Sequence, residues 1–144
     1  MLAGKCPDAA GGITARQSWQ NYYGVAADGS YSNGKTLSNT NAFLAGFNPT
    51  NTAAYPHIIS MVKSGNDMNI TYLGANGDTS YAGGPAAGTN VLQAAADLSL
   101  PNNFVGLQTN VYTGGSGLGT NVTATDPNGA TNIIRFYRVQ VLVR

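Results

Sequence analysis

The sequence predicts a mainly β protein: an immunoglobulin- or fibronectin-III-like antiparallel β-sandwich of about seven strands, with a short N-terminal helical and loop appendage. Three observations carry this. The stretch Asn132–Arg144 holds no Gly and no Pro, in a chain of 144 residues with 19 Gly and 6 Pro. Within it Ile133, Tyr137, Val139, Val141 and Val143 fall on one side of a pleated strand, and Ile134, Phe136, Arg138, Gln140, Leu142 and Arg144 on the other; β-branched and aromatic residues at a period of two are the strand signature. Before it, from residue 52 onward, similar short runs recur with a turn signal roughly every ten residues. Helical spacing is confined to the first 51 residues, which sets the division into an N-terminal unit (1–51) and a sandwich (52–144).

Taken in order, residues 1–13 are small and polar, with Pro7 and Gly11-Gly12. They are too poor in apolar groups to fold alone, so an arm of this kind needs a surface to lie on, its own domain or a neighbouring subunit. Thr14–Tyr23 reads as a short helix with Thr14 as N-cap and Gly24 as stop. Spacings of three and four set Trp19 beside Tyr22 and Tyr23 on it. These aromatics either pack on the sandwich or form a sugar- or subunit-binding patch. Asp28-Gly29-Ser30 and Asn33-Gly34-Lys35 are turn chemistry. A second helix runs from Leu37 or Ser38 to Gly46, with Pro49 three residues on.

The predicted strands are His57–Lys63, Met68–Leu73, Thr89–Ala95, Phe104–Tyr112, Leu118–Thr125 and the final stretch. Ser64–Asp67, Asn76-Gly77, Gly83–Gly88, Gly114–Gly117 and Asp126-Pro127-Asn128-Gly129 are the turns and loops between them.

Composition narrows function by exclusion. Only 9% of residues are charged, there is no Glu, and the net charge is +1, so no electrostatic case exists for nucleic acid or an acidic membrane. No transmembrane segment is present. Leu2-Ala3-Gly4-Lys5-Cys6 departs from a lipoprotein signal by its lysine and by the lack of a preceding apolar run. Cys6 is the one cysteine, which rules out an internal disulfide and points to a passive thiol or one shared with another chain.

Further along, Ser38-Asn39-x-x-Ala42-Phe43-Leu44-Ala45-Gly46-x-Asn48-Pro49-Thr50-Asn51 resembles the end of an Asp-rich calcium loop of the thrombospondin-type-3 or dockerin-like kind. In many large secreted proteins of Verrucomicrobia and related bacteria such a loop precedes a C-terminal β-sandwich. The resemblance continues with Ile58–Val62, Gly65–Tyr72 and Thr89–Ala95, and closes on Arg135-Phe136-Tyr137-Arg138-Val139. It covers residues 31–144 and implies a secreted β-sandwich module. The departures bear on the metal. Where the family's loop and following helix carry carboxylates, this chain has Tyr31, Asn33, Lys35 and Ala42. Calcium takes several hard oxygen ligands, so the resemblance implies the loop's shape without its ion; Asp28 with Asn33 is the one remaining candidate for a weak calcium site.

No catalytic constellation emerges. The carboxylates are Asp8, Asp28, Asp67, Asp78, Asp97 and Asp126, most of them in turn contexts. His57, the only histidine, has no nucleophile elbow to serve, and no phosphate- or dinucleotide-binding loop is present. Asn69-Ile70-Thr71 and Asn121-Val122-Thr123 fit the N-glycosylation sequon.

The expectation is therefore a non-enzymatic, extracellular or cell-surface structural subunit. It would assemble with copies of itself into a pilus-like filament or surface layer by β-strand addition. Candidate contact residues are Leu2, Cys6 and Ile13 in the arm, Trp19, Tyr22 and Tyr23 in the first helix, and Ile134 and Phe136 in the last strand. The alternatives are a C-terminal accessory or sorting module of a larger secreted protein, a carbohydrate-binding module using Trp19, Tyr22, Tyr23, Tyr31 or Tyr81, and a phage capsid decoration protein.

Overall fold

Thr14 and Gly24 bracket the first helix. In a computed structural model, which describes residues 14–32, 34, 37–75, 88–99, 103–112 and 121–143, α1 spans Ala15–Tyr23. The Thr14 Oγ1 accepts from the Gln17 N–H at 3.2 Å, satisfying one of the helix's orphan donors. Gly24 closes the other end at φ 70°, a left-handed conformation in which a side chain would be strained. α2 spans Asn39–Ala45 with Ser38 as N-cap and Gly46 at φ 69°. It ends on a Schellman pair: the Phe47 N–H donates to the Ala42 carbonyl at 2.8 Å and the Gly46 N–H to Phe43 at 3.3 Å.

Both helices bury one face in a shared core. Ala42 and Ala45, one turn apart on α2, leave room for Trp19 and Phe47; Ala27, Ala54 and Leu73 complete the cluster. Trp19 sits edge-on to Tyr23 and Phe43, with ring centroids 5.3 and 5.5 Å away, the arrangement aromatic quadrupoles prefer. Leu73 and Val141 tie this cluster to the sheets, so the helical unit packs on the sandwich.

Six strands form two antiparallel sheets. One holds β1 (His57–Ser64), β2 (Asp67–Leu73) and β5 (Val122–Asp126), in the order β1-β2-β5. The other holds β4 (Val105–Tyr112), β3 (Gly88–Ala95) and β6 (Phe136–Val143), in the order β4-β3-β6. Ile70 and Tyr72 from β2, Ala124 from β5 and Leu92 from β3 meet between the sheets, joined by Leu107, Tyr137 and Val139. At the two margins β1 lies against β6 and β4 against β5. The Tyr72 hydroxyl, buried in this layer, accepts from the Asn110 side-chain amide at 3.0 Å, which links the sheets by a satisfied polar contact.

Six strands lie among the described residues, where about seven are expected. One expectation needs correcting. The last strand begins at Phe136 rather than at Ile133. Asn128 takes a left-handed turn (φ 57°), Gly129–Thr131 forms a 3-10 turn, and Ile133 stands 99% exposed before the chain enters the sheet. That strand is an edge strand, paired with β3 of its own chain along its full length. Its facing is as predicted: Tyr137, Val139 and Val141 pack inward while Phe136 and Leu142 are exposed. Residues 1–13, Asn76-Gly77, 83–87 and 114–117 lie outside the described residues.

Candidate functional site

The predicted site residues part company in the structure. Trp19 is 1% exposed at the centre of the helical core, so it is not available to a sugar or a second subunit; its bulk is what the alanines of α2 are shaped around. Tyr23 packs against the same core, whereas Tyr22 and Tyr31 are exposed. Ile134 and Phe136 reach solvent near the start of β6. Leu2, Cys6, Ile13 and Tyr81 lie outside the described residues.

The loop between the helices is held by side chains. Asp28 accepts from the backbone N–H and the hydroxyl of Ser30, and these bonds hold its carboxyl below the usual carboxylate range. Asn39, fully buried, donates to the hydroxyls of Ser30 and Ser32 and accepts from the Ser32 N–H. The Ala27 carbonyl receives hydrogen bonds from Arg16 and Thr40. An amide thus organises the loop from its centre. Asn33, the other candidate calcium ligand, lies outside the described residues, and the described residues hold no group of three His, Cys, Asp or Glu side chains placed to bind a metal ion.

His57 turns its Nδ1 to the Tyr55 carbonyl at 2.7 Å and stacks on the Tyr55 ring. Asp67 accepts from the Asn128 N–H at 2.9 Å, fixing the β1–β2 hairpin to the corner after β5. Asp97 caps its own turn through Ser99. Asp8 and Asp78 lie outside the described residues. Of the sequon asparagines, Asn69 lies within β2 and accepts from Thr125 at 2.9 Å, while Asn121 is exposed just before β5.

Asp126 was legible only as a turn residue, and the structure gives it more to do. It is 2% exposed. The Arg135 Nε and Nη2 donate to its two oxygens at 2.8 and 3.0 Å, a bidentate pairing. The Tyr137 hydroxyl adds a third bond at 2.9 Å. Burial, followed by the bond to Asp126, raises the Tyr137 phenol above its ordinary range; the bond to Asp126 does the same for Arg135. A Cβ on Gly129 would come within 2.6 Å of Asp126 Oδ2 and 2.9 Å of the Tyr137 hydroxyl, so the close turn requires glycine there. All three polar groups are committed to one another, and they anchor the entry of β6 rather than face a cleft.

The remaining chemistry lies on the sheet edges. β1 presents Ile59, Met61 and Val62 at 47, 56 and 58% exposure. A bulge between Ile58 and Ser60 shifts the alternation, and in the regular run beyond it the neighbours Met61 and Val62 project from opposite faces. β4 exposes Val105 and Val111 at 68 and 67%, with a bulge of its own opposite Leu92 and Gln93. A shallow pocket of about 300 Å³ between α2 and the end of β6 is lined by Leu37, Asn41, Leu44, Ala45, Pro56 and Val141. No helix among the described residues is long and apolar enough to cross a membrane.

No family model, curated protein or solved structure matches this chain.

Proposed function

We propose that this chain is a non-enzymatic structural module that joins copies of itself through its sheet edges, as an extracellular subunit of a filament or surface layer. The observation that supports it is β1: an edge strand with three large apolar side chains in solvent and only Lys63 as a charged guard. An edge of that kind templates further strand pairing, and a near-neutral chain offers copies little repulsion. The commitment of His57 and of Asp28, Asp67, Asp97 and Asp126 to structural bonds is in keeping with a role without catalysis. We assign the sandwich to the immunoglobulin/fibronectin-III-like type on its strand order, with the first, second and fifth strands in one sheet and the third, fourth and sixth in the other.

The test is sedimentation velocity with negative-stain imaging of the purified chain across a concentration series. Growth into extended oligomers is the expected result. A chain that stays monomeric to millimolar concentration would sink the proposal. It would leave the second reading, an accessory module of a larger secreted protein, which the resemblance over residues 31–144 and the packing of the helix-and-loop unit on the sandwich both favour.

A further inference from the structure

The four sheet edges are not equivalent. β5 is five residues long, carries no exposed large apolar side chain, and ends in the buried Asp126. β6 has α2 packed near its end. It exposes Phe136 and Leu142, and its Arg138 reaches inward across β3, donating to Gln93 at 2.6 Å and lying 4.1 Å over the Phe104 ring. Shortness, and cover by a helix, are two ways natural sheets blunt an edge. β1 and β4 contrast with both, being neither short like β5 nor packed against a helix like β6. Each is eight residues long, and together they carry five exposed large apolar side chains. No strand among the described residues pairs with the far side of either.

Their positions matter more than their composition. β1 is the margin of one sheet and lies against β6; β4 is the margin of the other and lies against β5. The two apolar edges therefore occupy diagonally opposite corners of the sandwich. Each also has one bulge near one end, leaving a regular run beyond it: Ser60–Ser64 on β1 and Gln108–Tyr112 on β4.

We infer that β1 of one copy pairs with β4 of the next, over these two runs and in the antiparallel sense of every other pair in the molecule. This rests on the self-association reading above and names its contact. The β1-β2-β5 sheet of one subunit then continues into the β4-β3-β6 sheet of its neighbour. The contact joins two different surfaces on opposite corners, so each copy keeps a free β1 at one end and a free β4 at the other. Such a head-to-tail contact propagates instead of stopping at a dimer. Only Lys63 brings charge to the seam, and no residue of β4 is charged, so the two runs meet without like-charge opposition.

The experiment uses two double variants of the whole chain, Met61→Lys with Val62→Lys and Val105→Lys with Val111→Lys. All four positions are already in solvent, so both variants should keep the wild-type thermal midpoint; Met61→Lys and Val111→Lys alone replace any double variant that does not. Each variant by itself should be monomeric, because it lacks one half of the seam. Mixed in equal amounts they restore one intact contact, the β1 of one with the β4 of the other, and should form a one-to-one heterodimer that grows no further. A wild-type chain that assembles while the mixture gives no heterodimer overturns the β1–β4 assignment and leaves self-association standing. A wild-type chain that never assembles removes both.

Discussion

Replacing Asp126 by Ala would leave the Arg135 guanidinium and the Tyr137 hydroxyl facing a vacated site. Removing one partner of a buried ion pair costs about 3–5 kcal/mol, because the charge left behind is uncompensated. Here Asp126 is 2% exposed but the Arg135 side chain is 24% exposed, so the freed guanidinium can recover part of its hydration. We therefore place the loss near the bottom of that range, at about 3 kcal/mol. For a domain of this size each kcal/mol moves the thermal midpoint by roughly 2–4 °C, so a fall of roughly 6–12 °C is expected. The assay is urea unfolding of wild type, Asp126→Ala, Arg135→Met and the double variant. Because the two side chains bond directly, the cycle should return a coupling above about 1 kcal/mol. A single-variant loss below about 1 kcal/mol, with coupling within about 0.5 kcal/mol of zero, would refute the claim that this ion pair anchors the entry of β6.

Three further outcomes are expected of the same fold. Gly129→Ala drives a methyl into Asp126 and Tyr137 and should cost about 1–3 kcal/mol by overpacking, read by the same urea titration. Trp19→Ala empties the centre of the helical core and should cost about 3–5 kcal/mol; because Trp19 is buried, any glycan binding by the folded chain should be unaffected by the milder Trp19→Phe. Tyr72 and Tyr137 both have raised phenol ranges, chiefly through burial. In the unfolded chain they lose their protons first, so their contribution is complete below the ordinary tyrosine range and fades as pH climbs through the folded values. Stability should be level through neutrality and drop in alkali, with a shallower drop in the Tyr72→Phe, Tyr137→Phe double variant; a slope unchanged by both substitutions would count against the assignment.

Much of the local structure is legible because its causes are local. The Thr14 and Ser38 caps and the Gly24 and Gly46 stops are sequence neighbours of what they close, and the helices fall where those residues place them. The strand faces are legible wherever alternation holds, as along β6. Asp126 was not, although a signal existed. Val122, Ala124 and Asp126 share one parity on β5, and Arg135, Tyr137, Val139 and Val141 share one around β6. A carboxylate and a guanidinium, each on the apolar side of its strand and nine residues apart across a turn, satisfy each other or stay unburied. Asp-Pro-Asn-Gly reads so strongly as a turn that the inward parity of its first residue is easily passed over. Trp19 shows the opposite case: helical spacing set it beside Tyr22 and Tyr23, but only the small faces of Ala42 and Ala45 decide that it goes in while Tyr22 stays out.

The edges were hidden for a different reason. Sequence shows that His57–Lys63 alternates poorly, and a bulge at Ile59 is the cause. Whether such a run is a buried central strand or an exposed margin depends on sheet order, which no local pattern encodes. Here order and composition act together. Charge is one of the devices by which natural sheets protect their margins, and this chain has 13 charged side chains in total. One Asp and one Arg are spent on each other at the β5–β6 corner, Arg138 is turned inward onto Gln93 and Phe104, and Lys63 stands at the far end of β1. β4 receives none. A chain so short of charge leaves edges unguarded, and the two long ones without a helix against them carry valine, isoleucine and methionine into solvent. Low charge is therefore a direct cause of the association we propose, and restoring charge at Met61 and Val62 or at Val105 and Val111 is the substitution that should undo it.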